Sequence, residues 1–286
     1  MTCLQAIAVL FLFLTQGLIQ QVTGWAQKAD SCKLDMAYNS FDDQYEGCTE
    51  EMEKQAPQLL KKELEVNKEL RDEWKKAAKR WDEIKNQIDS SKHLTDFQGI
   101  ALVAYTGNVA TKFNKAVREF RQNPSNFQFK AFHYYLTRAL QLLNIENECY
   151  TVYRGCTTKF DYHGGGNVRF GQFTSSSFSE EVAIYFGGYI TLFTIRTCLG
   201  VNISKFSFYP SEREVLIPGY EVFQQVIKNN NNISLNSSKK FKSNYNCFYS
   251  STNNKKPYEN FNSSGTRGSP AFILLLPPGL LALLFL

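Results

Sequence analysis

Arg154, Ser175, Glu212 and Glu214 are the residues whose types and spacing could do chemistry together. Arg154 sits in Tyr153-Arg154-Gly155, at the end of an apolar stretch where a guanidinium is avoided unless it has an anionic partner. Gly171-Gln172-Phe173-Thr174-Ser175-Ser176-Ser177 ends a strand-like run in hydroxyls, just before Glu180 and Glu181. Glu212, Arg213 and Glu214 stand between two prolines, among aromatic and aliphatic residues. In extended chain, positions i and i+2 point to the same side, so the two glutamates face one space if the strand reaches back to Glu212; Arg213 either pairs with Glu212 or points away into solvent, as strand alternation predicts. Two carboxylates in one space let one stabilise positive charge while the other takes a proton. Singly, each pattern has a plainer reading: a solvated edge arginine, a helix cap or hydroxyl turn, and a charged turn.

The elements that must position these groups change character near residue 148. Residues 51–88 are charged and helix-forming, and Leu70, Trp74, Ala77, Trp81, Ile84 and Ile88 form one apolar face of a long helix. A second helix is expected over 96–121 and a third over 127–143, the latter with Phe132, Leu136, Ala139 and Leu143 on one side; Asn123-Pro124-Ser125-Asn126 separates them. Beyond Cys149, β-branched and aromatic residues predict strands over 150–154, 168–173, 190–197, 203–208, 214–217 and 245–249. Most lack a helix-length spacer, so the sheets should be largely antiparallel and the class α+β. No G-x-G-x-x-G follows a strand and opens a helix, which leaves a Rossmann site unsupported. His163-Gly164-Gly165-Gly166-Asn167 reads as a hairpin turn.

The ends set the compartment. Residues 1–24 carry an apolar run over 6–14 followed by small and polar residues, the pattern of a secretory signal peptide, although no basic residue precedes the run. Residues 270–286 are an uncharged apolar tail broken by Pro277, Pro278 and Gly279, preceded by small residues and a short polar spacer. That is the arrangement of a GPI-anchor signal, with 264–286 removed on maturation and 25–263 left as the folded domain. A single-pass anchor is the alternative, and either places the product outside the cell. Cys3 leaves with the leader. Cys32, Cys48, Cys149, Cys156, Cys198 and Cys247 remain as disulfide candidates, and six cysteines allow fifteen pairings. No cysteine pair has zinc spacing and His93, His133 and His163 are scattered, so no metal is expected. Asn202, Asn232, Asn236 and Asn262 begin glycosylation sequons. A formal net charge of +5 with mixed signs offers no nucleic-acid footprint.

An arginine ending a strand, a serine-rich strand end and a later E-x-E together resemble the R-S-E pattern of the arginine-specific ADP-ribosyltransferases. Phe41-Asp42-Asp43-Gln44-Tyr45, Ala104-Tyr105-Thr106-Gly107, Lys130-Ala131-Phe132-His133-Tyr134-Tyr135-Leu136-Thr137, Val168-Arg169-Phe170-Gly171-Gln172-Phe173-Thr174-Ser175 and Val215-Leu216-Ile217-Pro218-Gly219 extend the likeness across most of the chain. They are similar to the vertebrate GPI-anchored ecto-enzymes, nearest the T-lymphocyte alloantigen type. The resemblance implies a helical N-terminal half and a C-terminal half of two packed, mostly antiparallel sheets forming an NAD cleft. It implies that Arg154 holds NAD, that Ser175 orients Glu214, that Glu214 is catalytic, and that Glu212 selects arginine as acceptor. Tyr105, Gln172 and Ser207 fall where relatives line the NAD cleft. Cys48–Cys247 and Cys149–Cys198 are the implied disulfides; Cys32 and Cys156 pair with each other or stay free, and a free Cys156 thiol would make activity redox-dependent.

The implied activity is mono-ADP-ribosylation of protein arginine at the cell surface, with NAD as substrate and nicotinamide released. Arginine-bearing surface or secreted proteins would be the partners. An enzyme that mainly hydrolyses NAD and a catalytically silent display protein are the alternatives; the intact Arg154, Ser175, Glu212 and Glu214 weigh against silence.

Overall fold

The computed structural model describes residues 32–88, 94–144 and 148–248. The leader, the 264–286 tail, Asn262 and His93 lie outside the described residues.

The helical half begins with α1, Thr49–Val66, and α2, Lys68–Ile84. The single long helix expected here is divided at Asn67, whose backbone is extended (φ −108°, ψ 94°) and whose side-chain oxygen accepts the Leu70 N–H at 3.2 Å. Asparagine offers the backbone a bond that competes with the helical one, so it ends α1 and caps α2. The apolar stripe of α2 is in the core from Leu70 to Ile84. The helix expected over 96–121 is likewise two, α3 (Asp96–Tyr105) and α4 (Val109–Arg118). A Thr95/Gln98 capping box starts α3. Its Gly99 lets the Trp81 ring lie where a Cβ would be 2.4 Å from it. The third helix, α5, runs Lys130–Leu143, and its first amides are capped from outside: Glu63 of α1 accepts from Ala131 N at 2.8 Å and Phe132 N at 3.3 Å. Burial raises the Glu63 carboxyl to about 7.

The second half is built on a seven-stranded mixed sheet. Its strands are β2 (Tyr150–Cys156), β4 (Thr174–Ser177), β5 (Thr191–Thr197), β6 (Val201–Asn202), β7 (Glu214–Ile217), β8 (Glu221–Asn229) and β9 (Asn232–Phe241), in the order β6-β7-β4-β2-β5-β9-β8. All neighbours are antiparallel except β5 and β9, which run parallel with Phe193 opposite Ile233. A separate parallel pair joins β1 (Cys32–Lys33) to β3 (Phe160–Asp161), and a short helix, α6 (Glu180–Gly187), follows β4. Backbone hydrogen bonding thus links the main strands into one sheet, where two packed sheets were expected. The α+β class stands.

Three expected strands differ. Over 168–173 only Val168 pairs, in an isolated bridge to Phe223, and Gly171 adopts φ 66° against Ala37 and Ser40. Over 203–208 the chain makes the 3-10 turn Ser204–Phe206, where Phe206 stacks on Trp81 with centroids 6.2 Å apart. Residues 245–248 form no strand; they are a strap pinned to Asp42 and Asp43. The β8–β9 hairpin was not expected at all. It turns at Asn230 (φ 53°) and is bulged along β8.

Cys48–Cys247 and Cys149–Cys198 are bonded, the pairs the resemblance implies. Cys32 and Cys156 are both free. Beside the first disulfide lies the ion pair of Arg169 and Asp42, 2.6 Å apart with both side chains fully buried. Arg169 also donates to Met36 O through Nε at 2.9 Å and to Lys242 O through Nη1. Asp42 accepts from Asn244 N and Tyr245 N. Replacing Arg169 by alanine leaves a buried carboxylate and several carbonyls unpaired, so a loss of about 3–5 kcal/mol is expected in urea unfolding. Arg169→Lys should recover only part, because an ammonium cannot match the fork that spans these acceptors.

Candidate active site

The chemical residues converge where β4 lies between β2 and β7. Ser175 is opposite Leu216 and Ser177 opposite Glu214 in the β4–β7 register. Arg154 reaches across from β2, and its Nη1 donates to Ser175 O at 2.6 Å. Arg154, Ser175, Glu212 and Glu214 line one cleft, closed on another side by Val182, Phe186 and Gly187 of α6. The cleft pairs a guanidinium with two carboxylates and presents hydroxyls between them.

Glu212 and Glu214 share that cleft for a reason other than strand alternation. Glu212 ends the 3-10 turn Pro210–Glu212, Arg213 is left-handed (φ 51°, ψ 46°), and β7 starts only at Glu214. The left-handed residue reverses the chain locally and swings Arg213 outward, where it is exposed with its Cζ 5.8 Å from the Phe178 ring centroid. Ser177 Oγ fixes the turn by donating to Glu212 O at 2.7 Å, and Ser176 Oγ donates to Val215 O at 2.7 Å. The hydroxyl run therefore holds the acidic turn, which a helix-cap reading of the serines misses.

Glu214 is 5% exposed. Burial is the main force raising its carboxyl to about 7; the Glu212 charge adds to the rise, while a hydrogen bond with Ser175 and the Arg154 charge oppose it. Glu212 is only half-buried, and partial desolvation raises it as well. Behind Ser175 stands Tyr105, 2% exposed, with its hydroxyl donating to Phe173 O at 2.9 Å and accepting from Asn114 Nδ2 at 3.0 Å. Tyr105 also hydrogen-bonds Ser175, and burial raises its phenol to about 12. A chain of contacts thus runs from Asn114 on α4 through Tyr105 and Ser175 to Glu214. Asn114 gave no signal in the sequence, since a lone amide in a helix reads as surface.

Gln172 lies outside the cleft lining and accepts from Arg118 Nη1. Ser207 is fully buried, with its Oγ accepting from Tyr209 N at 2.9 Å. Cys156 is buried, and burial pushes its thiol above the ordinary range, although Arg154 opposes the shift; thiolate chemistry is thereby disfavoured. Among the described residues no three His, Cys, Asp or Glu side chains are grouped to hold a metal.

The family model for NAD:arginine ADP-ribosyltransferases matches residues 34–243. The chain belongs to that family. It is 53% identical over 271 residues to the mouse T-cell ecto-ADP-ribosyltransferase 2, covering 92% of each chain. It is 55% identical over 248 residues to the rat T-cell ecto-ADP-ribosyltransferase 1, covering 85% of this chain and 89% of the other. The crystal structure of the eukaryotic mono-ADP-ribosyltransferase ART2.2 superposes with a TM-score of 0.74 at 56% identity, over 77% of this chain and all of that one. A mutant of ART2.2 solved with NAD gives 0.73 at the same 56% identity. In this member of the family Arg154, Ser175, Glu212 and Glu214 line one cleft.

The raised Glu214 carboxyl has a cost in stability. Its folded value of about 7 exceeds the ordinary 4.5, so the folded state holds the proton more tightly. That contribution is complete below 4.5 and is lost as pH rises through about 7. Glu214→Gln removes the dependence. Its melting temperature minus that of the unsubstituted protein should grow between pH 5 and pH 8, by an amount corresponding to at most roughly 3 kcal/mol. Calorimetry of both proteins in matched buffers checks this, and the parallel titration of Glu63 cancels in the difference.

Proposed function

We propose that this protein is a cell-surface mono-ADP-ribosyltransferase that moves ADP-ribose from NAD to arginine side chains of other proteins and releases nicotinamide. The observation that carries it is the convergence of Arg154, Ser175, Glu212 and a buried, Ser175-bonded Glu214 on one cleft in a chain of this family. Arg154 is the cation that meets the dinucleotide, with the buried Tyr105 supporting Ser175 from behind, while Gln172 and Ser207 stand outside the cleft lining.

The chemistry follows from where charge develops. As the bond between ribose C1′ and nicotinamide breaks, its electron pair leaves with the neutral pyridine and the sugar becomes cationic. Glu214, ionised in a site with little water, is the anion that meets this charge, and Ser175 holds its carboxylate in one orientation. Glu212 takes the acceptor guanidinium by a charge-assisted, two-point hydrogen bond. A guanidinium nitrogen then attacks C1′, and its proton passes to Glu212 only as the new bond forms, because arginine does not deprotonate beforehand. When water replaces the guanidinium, the same cleft hydrolyses NAD.

The names of the relatives, mouse and rat ecto-enzymes, support an extracellular site of action. Secretion through a cleaved leader, a GPI anchor replacing 264–286, and glycans on the sequons complete the reading. Asn202 and Asn232 are exposed; the Asn236 amide donates to Gln225 at 2.9 Å, a bond that glycosylation would have to break.

Incubation of the ectodomain with labelled NAD and agmatine should yield ADP-ribosylated agmatine; free ADP-ribose alone would favour the hydrolase, and neither product the silent protein. Glu212→Gln should reduce transfer by about a hundredfold or more while hydrolysis persists. In kcat/KM for hydrolysis the acidic limb should lie near pH 7, rising with pH as Glu214 ionises. Because the Glu212 charge helps raise Glu214, the same substitution should move that limb to lower pH.

A further inference from the structure

Within six residues, on α6 and the turn after it, four large apolar side chains stand in solvent: Tyr185 is 82% exposed, Phe186 63%, Tyr189 72% and Ile190 47%. Single exposed apolar residues are ordinary, but a contiguous set marks a contact surface. Among the described residues of α6 only Ala183 is fully buried, so the helix turns its bulky side chains away from the core.

The set is rigid. A Cβ on Gly187 would lie 1.9 Å from Gly155 O, and a Cβ on Gly155 would lie 2.2 Å from Gly188 O. Backbone therefore presses on backbone, one residue past Arg154, and α6 is seated directly on β2. The Tyr185 and Phe186 rings meet edge to face with centroids 5.1 Å apart. The backbone that carries these side chains therefore needs no ordering when something binds.

Its place identifies the occupant. Phe186 and Gly187 line the same cleft as Glu212 and Glu214, so the shelf continues the wall of the mouth through which an acceptor guanidinium enters. Glu180 and Glu181 are exposed on the first turn of α6, and Ser179 donates to Glu181 at 2.7 Å. With Glu212 these carboxylates outnumber the exposed Arg213 guanidinium beside Phe178 and leave that rim acidic. An acidic rim disfavours an anionic lipid surface and favours a basic polypeptide.

We propose that the α6 shelf docks the polypeptide that carries the acceptor arginine, and that it selects arginines flanked by apolar residues in a basic context. The inference rests on the transferase reading. Tyr185, Tyr189 and Ile190 supply apolar contact outside the cleft, and Glu180 and Glu181 supply the charge. Neither group is needed by an acceptor as small as agmatine.

The test compares the unsubstituted ectodomain with a Tyr185→Ser/Tyr189→Ser variant on three acceptors: agmatine, an arginine peptide with leucine and phenylalanine flanks, and the same peptide with serine flanks. The unsubstituted protein should prefer the apolar-flanked peptide by about tenfold, chiefly through KM, and the variant should lose that preference. Transfer to agmatine should stay within about twofold, which also shows that the variant is folded. Equal use of the two peptides by the unsubstituted protein overturns the proposal, as does a loss shared equally with agmatine. A change in sedimentation of the variant with unaltered peptide preference assigns the shelf to self-contact and likewise overturns it. Failure of the unsubstituted protein to modify agmatine strikes the transferase reading itself and takes the docking proposal with it.

Discussion

The buried pair of Arg169 and Asp42 is the constraint on which the arrangement of the two halves depends. Two charges with fully buried side chains are tolerable only because the guanidinium fork and the carboxylate are both supplied with further partners. Those partners come from two distant stretches, the turn at Met36 and the strap after β9, while Arg169 itself stands on the approach to β4. Satisfying one guanidinium therefore fixes the path of the N-terminal segment, the entry to the strand that carries Ser175, and the exit of the last hairpin. Asp43 adds to this by accepting from Tyr45 N and Phe248 N. Two core clusters, one mainly among the helices and one mainly among the strands, are held together across this junction.

At the cleft the same physics is used for the opposite purpose. Glu214 is buried with only a serine and a nearby arginine to support its charge, so the carboxylate is left under-stabilised. An anion in that condition gains most when a cation forms beside it. Tyr105 and Asn114 keep Ser175 in place without adding charge, and Ser176 and Ser177 hold the turn that brings Glu212 alongside. Structure is concentrated around a carboxylate whose ionisation burial opposes.

How much of this was legible in the sequence depends on how local each cause is. The α2 stripe from Leu70 to Ile84 was readable because apolar spacing alone determines its buried face. The break around Gly107 was not, because it answers to packing: a Cβ on Gly107 would be 2.4 Å from Glu73 Oε1; the break at Asn67 has a local cause, a side-chain cap, that one asparagine in a long charged stretch does not announce. The strand expected over 168–173 fails because Arg169 is drawn to a partner 127 residues away. The β8–β9 hairpin escaped notice because β9 buries few apolar side chains, Ile233 and Leu235 among them, and takes its place from parallel pairing with β5. Arg154, Ser175, Glu212 and Glu214 stood out by type and spacing, but each had a plainer reading alone, and only the family resemblance joined them into one site. The left-handed turn at Arg213 that aligns the two glutamates was not legible, since arginine carries no signal for that conformation.

The strap that ends the described chain has a mechanical meaning. Residues 243–248 are held against residues 42–48 by carboxylate–amide bonds and by the covalent link from Cys247 to Cys48. Tension applied to the chain beyond Phe248 thus meets first the Phe248 N–Asp43 bond and the Cys247–Cys48 link, and through Cys48 the start of α1. The β4–β7 pairing that carries Ser175 and Glu214 takes no part in that covalent link, so tension entering at Phe248 meets Cys48 before it meets the cleft.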